Sequence, residues 1–210
     1  ALIGENGAGK TTLMNILAGI RLDYKGELTY FGQYHDKDRE ENPIVKEQYA
    51  YTGPGAYYLP QWTVGQIRNL NQLLFENFHE DRFEKLCERL AVGGEGNVSG
   101  KKVRSLSDGN KMKLMIASAL ARDTKLLMMD EPASPLDPLM RDCLCSLIRE
   151  YLAENEGENS VFFSTHNIAD MENVTDYAII MERGRIVEEG FVEDLKEKYV
   201  YVKGEPRDIE

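Results

Sequence analysis

The chain has 210 residues, 42% hydrophobic and 29% charged, which is an ordinary globular composition and long enough for one sizeable core, or one core with a small appended lobe. Its formal net charge of −11 argues against a nucleic-acid backbone as the main partner, because counterion release needs clustered lysine and arginine. No stretch reaches the roughly 18 apolar residues that a membrane helix requires, and the start has no signal-peptide pattern, so work at a membrane would need another chain to span it.

The run Ala1-Leu2-Ile3 reads as the end of a buried strand. It feeds Gly4-Glu5-Asn6-Gly7-Ala8-Gly9-Lys10-Thr11, which fits the phosphate-loop pattern G-x-x-x-x-G-K-[ST]. Leu13, Met14, Ile16 and Leu17 then follow at helical spacing, so the loop lies between a strand and a helix. Glycine backbones can turn successive N–H groups toward an anion, and the helix N-terminus adds partial positive charge. Asn6, Gly7, Ala8, Gly9, Lys10, Thr11 and Thr12 are therefore the candidate phosphate-binding residues, with Lys10 reaching the β- and γ-phosphates. Thr12 is placed at the α-phosphate end, and the Thr11 hydroxyl is a candidate Mg²⁺ ligand. The chain opens inside the first strand, without Met, which predicts a fragment lacking N-terminal strands.

Asp23 to Gly26 signals a turn, and Glu27 to Phe31 predicts a strand closed by Gly32. The acidic stretch from Tyr34 to Pro43 reads as a surface connection, and Tyr49 to Thr52 as a short buried strand broken by Gly53-Pro54-Gly55. Trp62 and the tyrosines at 49, 51, 57 and 58 read as packing residues. Thr63-Val64-Gly65-Gln66 has the form of a capping box and predicts a helix carrying Ile67, Leu70, Leu73 and Leu74 inward. A second helix is expected from about Asp81 to Leu90. Ser107 is a suitable N-cap for the helix through Met112, Met115, Ile116, Ala119 and Leu120.

Leu126 to Met129 is a continuous apolar run of strand length ending at Asp130-Glu131, which sets two carboxylates at the carboxyl end of a central strand. Pro138 suits the first turn of a helix to about Glu154, and Val161-Phe162-Phe163 is a buried strand delivering Ser164-Thr165-His166 to the same edge. Tyr177 to Met181 and Arg185 to Val187 read as a hairpin, followed by a short helix from about Val192 to Lys198. Cys87, Cys143 and Cys145 have no metal-ligand spacing and read as reduced thiols of a cytoplasmic protein.

The order of phosphate loop, helical insert, Leu106-Ser107-Asp108-Gly109, strand with Asp130-Glu131 and strand ending in His166 resembles the ATP-binding cassette (ABC) ATPases from Gly4 to about Lys198. Phe75-Glu76-Asn77-Phe78, Leu106 to Leu114, Phe163-Ser164-Thr165-His166 and Thr175-Asp176-Tyr177 together are further similar to bacterial ABC-2 exporters of the bacitracin and lantibiotic type. The resemblance implies an α/β P-loop NTPase fold, a mainly parallel sheet flanked by helices with an inserted all-helical lobe. Within a single domain over 1–210 it divides the chain into a RecA-like core, 1–62 and 107–210, and a helical subdomain, 63–106.

By the same resemblance Asp130 holds Mg²⁺, Glu131 polarises the attacking water and His166 contacts the γ-phosphate. Ser134 to Asp137 corresponds to the D-loop, and Ser107 and Gly109 lie on the signature loop that meets the nucleotide of an opposite subunit. The implied protein is an ATPase that dimerises with ATP, as a homo- or heterodimer, and powers a separate transmembrane permease from the cytoplasmic face of the membrane, with no nucleic-acid partner. An adenine-stacking aromatic is expected upstream of the phosphate loop.

Three positions depart from the family pattern. Gly53 and Pro54 stand where the Q-loop glutamine is expected, Asp108 replaces the first glycine of the signature, and Asn110 replaces its glutamine. The missing glutamine and Asp108 favour one alternative, a regulatory nucleotide-binding subunit with little hydrolysis; a further alternative is a soluble ABC protein outside transport, against which the −11 charge speaks.

Overall fold

The computed structural model describes residues 1–35, 43–55, 58–94, 96 and 98–198. The elements in chain order are β1 (Leu2–Ile3), α1 (Lys10–Leu17), β2 (Thr29–Tyr30), β3 (Tyr34–His35), α2 (Pro43–Glu47) and β4 (Tyr49–Thr52). Then come α3 (Val64–Leu74), α4 (Glu80–Arg89), α5 (Asp108–Leu120), β5 (Leu126–Asp130) and α6 (Pro138–Ala153). The chain continues through β6 (Ser160–Thr165), β7 (Tyr177–Glu182), β8 (Arg185–Phe191) and α7 (Val192–Lys198).

Six strands form one sheet in the order β4-β5-β6-β1-β7-β8, parallel throughout except for the antiparallel pair β7 and β8. Strand β5 explains why its sequence is an unbroken apolar run. Leu127 and Met129 enter the larger core, built with α4, α5 and α6, while Met128 points to the other face, where Met14 of α1 and Tyr30 pack. Both faces of the strand are covered, so no polar alternation survives.

Helix α3 begins at the expected capping box: Thr63 accepts from the Gln66 N–H, and Gln66 accepts from the Thr63 N–H at 2.9 Å. Its apolar face is narrower than the spacing predicted, because Ile67 is buried but Leu73 and Leu74 are 82% and 58% exposed. Helix α6 carries Pro138 in its first turn, and the Asp137 carboxylate caps it from the Met140 N–H at 3.1 Å.

Two readings between residues 27 and 43 need correction. The expected strand Glu27 to Phe31 is cut to Thr29–Tyr30, because Phe31 takes φ 53 and an extended strand cannot continue through a left-handed residue. Tyr34–His35 is not a plain connection but pairs antiparallel with Thr29–Tyr30, and Pro43 opens α2. The rest of that stretch and Tyr57 lie outside the described residues. Tyr49 packs as expected, its ring stacked on Tyr30 with centroids 5.8 Å apart.

A buried cation joins the helical insert to the sheet. Arg122, just past α5, lies with its guanidinium 3.6 Å from the centre of the Phe75 ring. It donates to Asn77 Oδ1 at 3.2 Å and to the Lys46 carbonyl at 3.0 Å, with Glu47 Oε2 3.8 Å away. Burial pulls the guanidinium down to about 10, against the opposing field of Glu47, so it stays charged at neutral pH. Arg122→Met keeps the apolar stem but strands Asn77, the Lys46 carbonyl and the Glu47 carboxylate. We expect a loss of about 3 kcal/mol in urea denaturation; a loss below about 0.5 kcal/mol would contradict the role of Arg122 as a tie.

Candidate functional site

Parallel register brings the site together. Asp130 on β5 stands opposite Ser164 on β6, and Ser164 stands opposite Leu2 on β1, so three strands end side by side. The loop after β1, the carboxylates after β5 and His166 after β6 therefore leave the same carboxyl edge, the usual ligand edge of an open α/β sheet.

The glycine loop enters α1 through Gly9, whose φ of 105 suits a residue without a Cβ. That N-cap has no side chain to offer, and no acidic residue lies in the first turn. The opening N–H groups of α1 are thus left for an anion. Thr11 and Thr12 are exposed beside them, as are Asn6 and Gly7, while Ala8 is buried. Lys10 is only 5% exposed, and its ammonium donates to the Gly4 carbonyl at 2.7 Å and the Glu5 carbonyl at 3.2 Å.

Lys10 also reaches the carboxylates. Its Nζ lies 3.2 Å from Glu131 Oε1, a charge contact without hydrogen-bond alignment, while Glu131 Oε2 is 2.8 Å from His166 Nδ1. Lysine, glutamate and histidine thus form one line from the buried loop to the half-exposed imidazole. Glu131 holds this place in a left-handed backbone with φ 50, a conformation costing about 1–3 kcal/mol for a residue with a Cβ. Its N–H is anchored by the Ser164 carbonyl at 3.2 Å and by Ser164 Oγ at 3.0 Å.

Asp130 is fully buried. Ser164 Oγ donates to Oδ1, whereas Oδ2 has no hydrogen-bond partner among the described residues. A buried carboxylate oxygen without a donor suits a hard cation. No group of three or more His, Cys, Asp or Glu with metal-holding geometry occurs among the described residues, so a cation here would take most of its shell from water, hydroxyl and phosphate.

The signature loop lies elsewhere on the chain. Ser107 is exposed and accepts from the Asn110 N–H at 3.3 Å, and a Cβ added to Gly109 would come within 2.7 Å of the Pro135 carbonyl, so this loop abuts the Ser134–Asp137 turn. The two unusual residues are occupied locally. Asp108 pairs with Lys111 at 2.9 Å, and Asn110 accepts from the Gly93 N–H at 3.0 Å, fastening the loop to the segment after α4. A cavity of about 740 Å³, lined among others by Pro54, Asp108, Lys111, Glu131 and Ser134, separates this loop from the carboxylates.

The sequence model of the ABC transporter family matches residues 1–134. The chain belongs to that family. It is 34% identical over 194 residues to the uncharacterized ABC transporter ATP-binding protein YdbJ of Bacillus subtilis, covering 88% of this chain but 58% of that relative. A solved structure of an ATP-binding subunit of an ABC transporter superposes with a TM-score of 0.77 at 27% identity, over 94% of this chain and 80% of that one. The dimeric cassette MJ0796, bound to ADP and Pi after hydrolysis, superposes with a TM-score of 0.76 at 20% identity, over 91% of this chain and 84% of that one. The fold is thus that of the ABC cassettes.

Three neighbours of the site have no site role in the sequence reading. Ser164 reads there only as part of a strand end, and Tyr51 only as a packing residue. Arg141 on α6 donates to the carbonyls of Ala133 and Leu136 and pairs with Asp170 at 2.6 Å, fixing the Ser134–Asp137 turn to the segment after His166. Tyr51 takes the space above Gly53: it donates to Asn15 Oδ1 at 3.1 Å, and a Cβ on Gly53 would lie 2.5 Å from its hydroxyl and 3.1 Å from Asp130 Cβ. A side chain at position 53 therefore requires Tyr51 to shift.

Gly53→Ala should therefore destabilise by about 1–3 kcal/mol. Combined with Tyr51→Leu it should cost less than the sum of the two single changes by at least about 0.5 kcal/mol. Strict additivity in a denaturation cycle would show that Tyr51 does not exclude a side chain at 53.

Proposed function

We propose that the chain is the ATP-binding and ATP-hydrolysing subunit of a bacterial ABC transporter. What carries the reading is the meeting of Lys10, Glu131 and His166 in one line at the open N-terminus of α1. Gly7 to Thr12 bind the triphosphate through backbone N–H groups, with Asn6 and Ala8 shaping the turn, and Lys10 leaves the Gly4 and Glu5 carbonyls for the β- and γ-phosphates.

Two carboxylates facing a polyanion call for a cation, and Asp130, through its unpartnered Oδ2, and the Thr11 hydroxyl would hold Mg²⁺. When bound, Mg²⁺ neutralises charge on the phosphate oxygens. Glu131, released from Lys10, orients a water and accepts its proton as the water oxygen attacks the γ-phosphorus. The bond to the bridging oxygen breaks, and ADP and phosphate leave. His166 holds Glu131 at one imidazole nitrogen and offers the other toward the γ-phosphate.

In this reading the nucleotide is closed in by Ser107 and Gly109 of a second cassette, in a homo- or heterodimer. The exposure of Ser107 supports this, as does the name of the solved cassette that is dimeric with ADP and Pi. The core at 1–62 and 107–210 and the helical lobe at 63–106 move against each other as the dimer closes. A separate permease docks beside the lobe, where Ile20, Leu22 and Leu74 are more than half exposed around a cavity of about 570 Å³. No helix among the described residues is long and apolar enough to cross a membrane; in this reading the chain is held at the cytoplasmic face of the membrane by the permease. Gly53 offers no side-chain oxygen to the metal site, which favours a second reading, a regulatory subunit that binds ATP and turns it over slowly.

Two variants test these readings. Lys10→Ala should weaken ATP binding at least about tenfold in calorimetry; unchanged affinity would overturn the phosphate-loop assignment. Glu131→Gln should slow steady-state hydrolysis by about 10²-fold or more while an ATP-bound dimer accumulates in light scattering. Binding and dimerisation by the unmodified chain without turnover, alone and with its permease, would instead select the regulatory reading.

A further inference from the structure

We propose that Ser164 is a positioning residue whose single hydroxyl sets both strand-end carboxylates, Asp130 for the cation and Glu131 for water. The inference rests on the reading that Mg²⁺ and nucleotide occupy this edge. Ser164 is fully buried on β6, in register between Asp130 on β5 and Leu2 on β1. It therefore sits between the strand that ends in the carboxylates and the strand that feeds the phosphate loop.

The direction of its hydrogen bonds follows from the partners. The Glu131 N–H can only donate, so it takes a lone pair of Ser164 Oγ, at 3.0 Å. The hydroxyl proton then goes to Asp130 Oδ1. One group thus fixes two things: it commits Oδ1 and leaves Oδ2 as the oxygen for a cation, and it helps hold the left-handed backbone that aims Glu131 at His166 and Lys10. With alanine at 164 neither oxygen of the fully buried Asp130 has a protein donor among the described residues, and the carboxylate can rotate away from the edge. Glu131 keeps its second anchor, the Ser164 backbone carbonyl at 3.2 Å. The loss should therefore fall first on the cation and only then on turnover.

The test is Mn²⁺ binding to the full chain with ADP, read by electron paramagnetic resonance, beside ADP affinity in EDTA and thermal unfolding. The control is Ser118→Ala, which removes a hydroxyl that is also buried but donates to the Leu114 carbonyl inside α5. Ser164→Ala should weaken Mn²⁺ binding at least fivefold with ADP affinity in EDTA unchanged within twofold. Ser164→Thr, which keeps the hydroxyl, should restore most of it, and Ser118→Ala should lower thermal stability without moving Mn²⁺ affinity. If Ser164→Ala does not fold, Ser164→Cys, with a weak thiol donor, is read in the same way. Equal Mn²⁺ affinity in the Ser164 variants and the unmodified chain overturns the inference. Failure of the unmodified chain to hold Mn²⁺ with nucleotide overturns instead the reading on which it rests.

Discussion

Parallel pairing of β5, β6 and β1 is the constraint on which the site depends. A parallel sheet ends its strands on one edge, so residues far apart in sequence, Lys10, Glu131 and His166, leave the sheet within one or two side-chain lengths of each other. The register also brings Ser164 opposite Asp130, and a slip of one residue would reverse the faces of Met128, Met129 and Asp130 together. Since Met128 and Met129 belong to different cores, both faces resist such a slip. The packing that stabilises the sheet is therefore the same packing that positions the carboxylates.

The cation at this edge is met within the chain. The Lys10 ammonium is nearly buried, and it rests on two carbonyls of its own loop and on Glu131. Burying such a cation without partners would be costly, so these contacts stabilise the turn of the loop. In the proposed function a triphosphate competes for the same ammonium. Binding then exchanges one set of charge-assisted contacts for another, and the group that Lys10 gives up is Glu131. Nucleotide binding and release of the water-orienting carboxylate become one event.

Much of this arrangement was legible in the sequence because its signals are local. The phosphate-loop spacing, the Thr63 capping box, the apolar run before Asp130 and Pro138 at a helix start each depend on a few consecutive residues. What escaped was either set by distant partners or set by backbone angle. Phe31 ends its strand through a positive φ that nothing in its neighbours' composition announces. The exposed side of α3 follows from where α5 and the sheet lie, and periodicity alone counts Leu73 and Leu74 as buried. Arg122, Arg141 and Ser164 act across separations of 29 to 76 residues, so no local pattern could assign them.

The departures from the family pattern make physical sense as a set. Asp108 would be unfavourable next to a phosphate, but its carboxylate is held by Lys111 on the same helix turn, and Asn110 serves as a bracket to Gly93. At position 53 a side chain would require Tyr51 to shift, because Tyr51 turns its hydroxyl to Asn15 of α1 and fills the volume above the glycine. Tyr51 thus links β4 directly to the helix that starts at the phosphate loop. The insert and the phosphate-loop edge are thus linked through Tyr51 and α1, through the Arg122 tie and through the contact of the Gly109 loop with the Ser134–Asp137 turn.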